Sequence, residues 1–169
     1  MKLKSLLIGT VLAATSMTSF AATGDSQNVN VVLNGTPATG YSKFFGADHS
    51  MVGDFTDIFT FSPSVGPSLL NVWVHTLNLG GNHDIDFDHA DLNGHALTFS
   101  PNGASEDGSL GPTWVSGPLV LTVYGTSKNV SASYSATMNL DPVPEPETYV
   151  MMLGGLAILS YIGRRRKTS

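Results

Sequence analysis

The sequence predicts an all-β protein: an antiparallel β-sandwich of about seven or eight strands, flanked by an N-terminal signal peptide and a C-terminal transmembrane helix. Three observations predict it. Short stretches rich in aromatic and β-branched residues alternate polar and apolar types. Gly, Pro and Asn punctuate them, with 18 Gly and 9 Pro in 169 residues. Through the middle of the chain, no stretch repeats apolar residues at i, i+3, i+4 and i+7.

The chain divides into residues 1–21, 22–142 and 143–169. The middle part is long enough for one buried core and too short for two enzyme domains. Absence of Cys excludes a disulfide scaffold, a thiol nucleophile and a thiolate zinc site. Residues 22–142 hold 2 Lys against 11 acidic residues. That balance excludes a nucleic-acid partner, which needs a basic surface. It suits a soluble domain in a hydrated, cation-binding matrix.

Lys2 and Lys4 precede the apolar run Leu6–Ala14, and Ser19-Phe20-Ala21 follows a polar passage. A positive start, a short apolar run and small residues at −3 and −1 make a secretory signal cut after Ala21. The alternative is a membrane anchor. Nine apolar residues, however, reach only about 14 Å as a helix, half of a bilayer core.

Strands are expected over Asn28–Leu33, Phe55–Phe61, Leu69–Leu79, Ile85–Asp88, Ala96–Phe99, Thr113–Val115, Leu119–Tyr124 and Val130–Leu140. In Phe55–Phe61 the period of two places Phe55, Asp57, Phe59 and Phe61 on one face. Three aromatics make it the core face. Asp57 is therefore expected to point inward and, as a buried carboxyl, to be hydrogen-bonded, for example to backbone N–H groups of a neighbouring loop. A ligand or metal contact is the alternative. In the last strand, Val130, Ala132, Tyr134 and Ala136 are expected inside and Ser131, Ser133, Ser135 and Thr137 outside. His75, in phase with Trp73 and Leu77, reads as a core or edge histidine.

The densest polar stretch runs from His83 to His95. Asp84, Asp86, Asp88 and Asp91 suggest a calcium site, since Ca²⁺ takes six to eight oxygen ligands. The D-x-D-x-D start resembles an EF-hand loop, but His89 stands where Gly is needed and His95 where Glu is needed. As a strand, the segment turns Asp84, Asp86 and Asp88 to solvent, and that reading is preferred. His83, His89 and His95 recur every six residues without a zinc motif. The chain lacks G-x-S-x-G and a phosphate-cradling glycine loop. No catalytic residue, cofactor or assured metal ligand is therefore expected, and the domain reads as non-enzymatic. Asn34-Gly35-Thr36 and Asn129-Val130-Ser131 match the glycosylation acceptor by chance.

The C-terminal part has three sections. Val143-Pro144-Glu145-Pro146-Glu147 is stiff and acidic, because each Pro fixes φ and denies helix to the residue before it. Thr148–Gly163 is apolar and uncharged, and Arg164, Arg165, Arg166 and Lys167 follow. Tyr149 and Tyr161 sit near the ends of the apolar run, as interfacial rings do, and the basic cluster belongs on the cytoplasmic side. A plain single-span anchor fits the same residues.

Pro144-Glu145-Pro146, a short apolar helix with Gly154-Gly155, and the Arg164–Arg166 cluster together resemble the PEP-CTERM protein-sorting signal, a region also labelled the ice-binding protein C-terminal domain. The resemblance implies recognition by exosortase, a membrane protease, with processing near the PEP motif. It further implies passage through the secretion translocon and the inner membrane, then display at the cell surface or in an exopolysaccharide matrix. Phe55-x-Asp57-x-Phe59 is similar to the signature of the FxDxF family of PEP-CTERM proteins. Asp91–Thr98 and Leu119–Gly125 are similar to that family's turn and strand motifs. The family brings no established activity. Ice binding is not implied, since no repeated Thr ladder is present. Two other functions fit the residues: a polysaccharide- or calcium-binding module, for which exposed Trp73, Trp114 or Tyr124 would speak, and a small secreted hydrolase.

Overall fold

The computed structural model describes residues 24–77, 84–103, 105–143 and 146–167. Residues 1–21, expected to be a signal peptide, lie outside the described residues, together with Asn78, Leu79, His83, Pro144 and Glu145.

The described residues form nine strands: β1 (Asn28–Val32), β2 (Asn34–Thr36), β3 (Gly40–His49), β4 (Gly53–Leu77), β5 (Ile85–Leu92), β6 (His95–Ala96), β7 (Thr98–Phe99), β8 (Ser105–Ser127) and β9 (Ala132–Pro142). They form one hydrogen-bonded sheet, ordered β2-β3-β9-β4-β8-β5-β6, with β1 on β4 and β7 on β8. The long strands β4 and β8 run through both halves of it. In one half, Gly53–Phe61 of β4 pairs with Leu119–Ser127 of β8, which also carries β5. In the other, Ser68–Thr76 of β4 lies between β9 and the first part of β8, with β3 beyond β9.

Pairing shifts register between Phe61 and Val65 and again before Ser68. Pro63 and Pro67 stand in that stretch, and Pro118 faces it from β8. A proline has no N–H for the ladder, so the strands bend there. The bend brings the halves face to face. Phe45 of β3 meets Phe59 and Phe61 of β4 at ring separations of 4.9 and 5.1 Å. Phe87 of β5 meets Tyr134 of β9 edge-on at 5.3 Å. These are favourable tilted and T-shaped geometries. Phe55, Phe59, Leu121, Ile85, Leu70, Val74 and Met138 fill the space between.

The mostly antiparallel β expectation is therefore met, with several corrections. The sheet is continuous and has nine strands, and β1 pairs parallel to β4. Four expected strands merge into β4 and β8. β3 was not expected, although Tyr41, Phe45, Ala47 and His49 all point inward from it. β9 starts at Ala132, so Val130 is exposed in the preceding turn rather than inside, and Ser131 there has φ of 66°. Trp73 and His75 lie on the outer face, because Val72, Val74 and Thr76 take the inner one.

The hairpin from β5 to β6 turns at Asn93-Gly94, both with positive φ, as a type I′ turn requires. Asn93 ties it to β8, donating from Nδ2 to the Pro118 carbonyl and accepting from the Val120 N–H, each at 2.8 Å.

Helix α1 (Pro146–Lys167), the one helix among the described residues, covers the expected apolar run. Among the described residues, no helix is long and apolar enough to cross a membrane. The reason is length. Sixteen uncharged residues reach about 24 Å, against a core of about 30 Å, and the remaining turns carry Glu, Arg and Lys.

Because Phe59 is enclosed by both halves, Phe59→Ala should lower unfolding free energy by about 3–5 kcal/mol. Trp73→Ala, on the outer face, should change it by less than about 0.5 kcal/mol. Urea titration followed by circular dichroism measures both.

Candidate functional site

Three groups of residues could carry function: the acidic strand β5, the buried polar chain around Asp57, and the outer face across β3, β9 and β4. The tail adds a fourth.

On β5 the inward positions are Ile85, Phe87, Ala90 and Leu92. A register shift between Phe87 and His89 leaves both Asp88 and His89 outside. Asp86 pairs with the Lys128 ammonium at 2.9 Å, and this contact raises the Lys128 pKa. Asp91 accepts from the Gly94 N–H at 2.8 Å and so closes the hairpin turn. Among the described residues, no group of three or more His, Asp or Glu is gathered to hold a metal. The fold thus spreads Asp84, Asp86, Asp88 and Asp91 along β5 and the residue before it, with Asp86 and Asp91 in the structural contacts just named.

Asp57 is fully buried, at 0% exposure, and has partners from three other segments. Its Oδ1 accepts from the Gln27 N–H at 2.9 Å, and its Oδ2 accepts from the Tyr134 hydroxyl at 2.7 Å. The His49 Nε2 lies 3.1 Å from the same Oδ2. That nitrogen makes no well-directed hydrogen bond, so the contact is chiefly a charge contact. The other ring nitrogen, Nδ1, lies 3.1 Å from Asp25 Oδ1, and Asp25 Oδ2 accepts from the Ser50 N–H and hydroxyl. The His49 ring stacks on Phe55 at 3.9 Å.

With a carboxyl oxygen at each nitrogen, the imidazole suits the doubly protonated form. Burial opposes that charge, but Asp57 and Asp25 outweigh it and His49 is raised above its ordinary value of 6.5. Asp25 is held down to about 2, first by the Ser50 N–H, against the opposing effect of burial. Burial, and then Asp57, push Tyr134 well above its ordinary value. Glu106 is a second buried carboxyl. It accepts from the Phe87 N–H at 2.9 Å and the Gly103 N–H at 3.3 Å, and burial raises its pKa.

Sequence reasoning did not single out His49, Asp25, Gln27 or Glu106. Period two from Phe45 could have placed His49 inside. Nothing local marks the others.

The outer face differs in character. Phe44 is 70% exposed and Trp73 57% exposed. Both share a register row with Thr137, which lies between them. One row along, His75 Nδ1 meets Asp107 Oδ1 at 2.6 Å, with Ser135 opposite His75 on β9. Trp114 is also exposed but lies farther along β4 and β8, opposite Leu69. Tyr124 stacks on His89 on the other half of the sheet, at 4.1 Å.

The tail leaves the sheet at the end of β9, where the Val143 N–H donates to the Pro67 carbonyl at 2.9 Å. A family model described as the PEP-CTERM protein-sorting motif matches residues 142–167. No curated protein and no solved structure matches the chain significantly. The match covers the tail alone, and the motif implies an exosortase-dependent sorting signal of an exported protein. The match begins at the residue that ends β9.

Two outcomes follow for the buried chain. Asp57→Asn leaves His49 facing a neutral amide and should cost about 3–5 kcal/mol, as removal of one partner from a buried pair does. Equilibrium urea unfolding measures it. The pH dependence has a definite sign. A raised His49 contributes stability that is complete below its unfolded value of 6.5 and lost as pH climbs through the folded value. Asp25 contributes above 3.8, losing it as pH falls toward 2. The melting temperature should therefore fall from mildly acidic to mildly alkaline pH, and this slope should flatten in His49→Gln.

Proposed function

We propose that the protein is an exported, non-enzymatic surface or matrix protein, whose sheet domain is the cargo and whose tail is a disposable address. The N-terminal signal delivers it to the secretion translocon. Helix α1 then sits transiently in the inner membrane with Arg164, Arg165 and Arg166 on the cytoplasmic side, and exosortase processes the chain near Pro144-Glu145-Pro146. The domain ends at the cell surface or in an exopolysaccharide matrix.

The observation that carries this reading is the sorting motif at residues 142–167. Its position supports processing without damage to the fold, since the last strand ends at Pro142. The short helix suits brief residence. A span of sixteen uncharged residues requires local bilayer thinning or snorkelling of flanking cations. The non-enzymatic reading is supported by the burial of His49 and Asp57, which no substrate can reach in the folded chain. A polysaccharide-binding role is favoured as the second reading by the exposure of Phe44 and Trp73. Calcium binding gains no such support, because the aspartates of β5 are not gathered.

The test replaces Pro144, Glu145 and Pro146 by Ala and follows the protein by fractionation, in cells with and without the sorting protease. Expected is a shorter product outside the inner membrane for the native chain alone. The variant, and the native chain in protease-deficient cells, should stay full-length in the membrane fraction. Identical size and location in all four cases would remove the sorting reading.

A further inference from the structure

The outer face of β3, β9 and β4 combines features that neither the sorting tail nor the core explains. Phe44 and Trp73 stand on one register row, two strand spacings apart, which is about 10 Å. Between them lie Thr137 and, one row along, Ser135. Depressions of about 460 and 210 Å³ flank this strip and share His75 and Ser135. The strip is kept low at Gly46. A Cβ there would come within 2.2 Å of the Tyr134 carbonyl oxygen, so no side chain can fill the position beside Phe44.

Phe44 and Trp73 are two large aromatic rings left exposed on one face, and such rings beside polar groups suit a ligand that is apolar on one face and polar at its edge. The surface is not a continuous apolar patch, since hydroxyls interleave the rings. Trp73 and Phe44 offer flat apolar faces for the C–H face of a sugar ring. Ser135 and Thr137 offer hydroxyls, and His75, with Nδ1 against Asp107, presents Nε2 as a further polar contact. The lining contains no Lys or Arg, and its carboxyl side chains are Asp48 and, behind His75, Asp107. A polyanion would be repelled.

We propose that this groove binds an uncharged polysaccharide, with pyranose rings stacked on Trp73 and Phe44 and sugar hydroxyls bonded to Ser135, Thr137 and His75. The proposal rests on the matrix-association reading above and names the site and ligand class for it.

The experiment is affinity electrophoresis of the exported protein, recovered from producing cells, in native gels. The gels contain dextran, hydroxyethyl cellulose, galactomannan or glycogen as neutral probes, and alginate or carboxymethyl cellulose as anionic ones. At least one neutral gel should retard the native protein, and the anionic gels should not. Trp73→Ala and Phe44→Ala should each weaken retardation by about tenfold or more, as loss of an aromatic anchor does. Trp73→Tyr should keep most of it, and Trp114→Ala all of it. Unchanged far-ultraviolet circular dichroism in each variant separates loss of binding from loss of fold. Absence of retardation on every neutral gel, equal retardation of Trp73→Ala, or preference for the anionic gels would each overturn the proposal. So would a dimer in sedimentation that Trp73→Ala dissolves, since the face would then join two copies. Failure here leaves the expected fractionation differences in place, whereas failure of the sorting reading shows as identical size and location in all four cases, whatever the gels show.

Discussion

The fold depends on satisfying one carboxyl group inside an aromatic core. Asp57 lies on β4 among Phe55, Phe59 and Phe61, where an unpartnered carboxylate would cost several kcal/mol. The chain meets that demand from three places: the backbone of Gln27 ahead of β1, His49 at the end of β3, and Tyr134 on β9. β3 and β9 belong to one half of the sheet, and the first part of β4 to the other. The polar chain therefore holds the halves at a fixed separation and ties down the segment before the first strand. It also favours the observed register of β1 and β3, because a one-residue slip would turn their partners away from Asp57. This is a specifying role more than a stabilising one, since a well-packed apolar replacement could be as stable.

With the interior committed in this way, the outer faces are the ones open to a partner. The inner faces of β3, β4 and β9 are occupied by core side chains, while their outer faces carry Phe44, Trp73, His75 and a row of hydroxyls. The strand period of two supplies both faces from the same strands: one set of residues closes the core and the alternate set lines the outer depressions. The sorting tail begins where the last strand ends, so the address and the cargo share almost no structure.

Much of this could be read from the sequence, and the parts that could not share a cause. Phe55-Asp57-Phe59-Phe61 announced its face because apolar residues occupy one phase only. The turn within Asp91–Thr98 was expected only from the family resemblance, and the structure places it at Asn93-Gly94, a pair that accepts two positive φ values. The tail was legible because its signal is a local order of residues. Proline misled the strand boundaries. Pro63, Pro67, Pro112 and Pro118 lie between the expected strands, yet they fall inside two strands that continue beyond them. The stretch Leu69–Thr76 was ambiguous because both phases carry apolar residues, and only packing decided that Val72 and Val74 go inside. The partners of Asp57 were not legible at all. Tyr134 is 77 residues away and Gln27 is 30, and pairing across such distances is fixed by register that no local pattern encodes. The groove escaped notice for the same reason, since Phe44 and Trp73 become neighbours only through β9.

The central claim is that a self-contained sheet domain carries a tail made to be removed. The intact mass of the protein recovered outside the inner membrane tests it most directly. The account predicts a chain that ends close to the Pro144–Pro146 segment and lacks the apolar helix and the arginines. A mass that retains Arg164–Arg166 would contradict it.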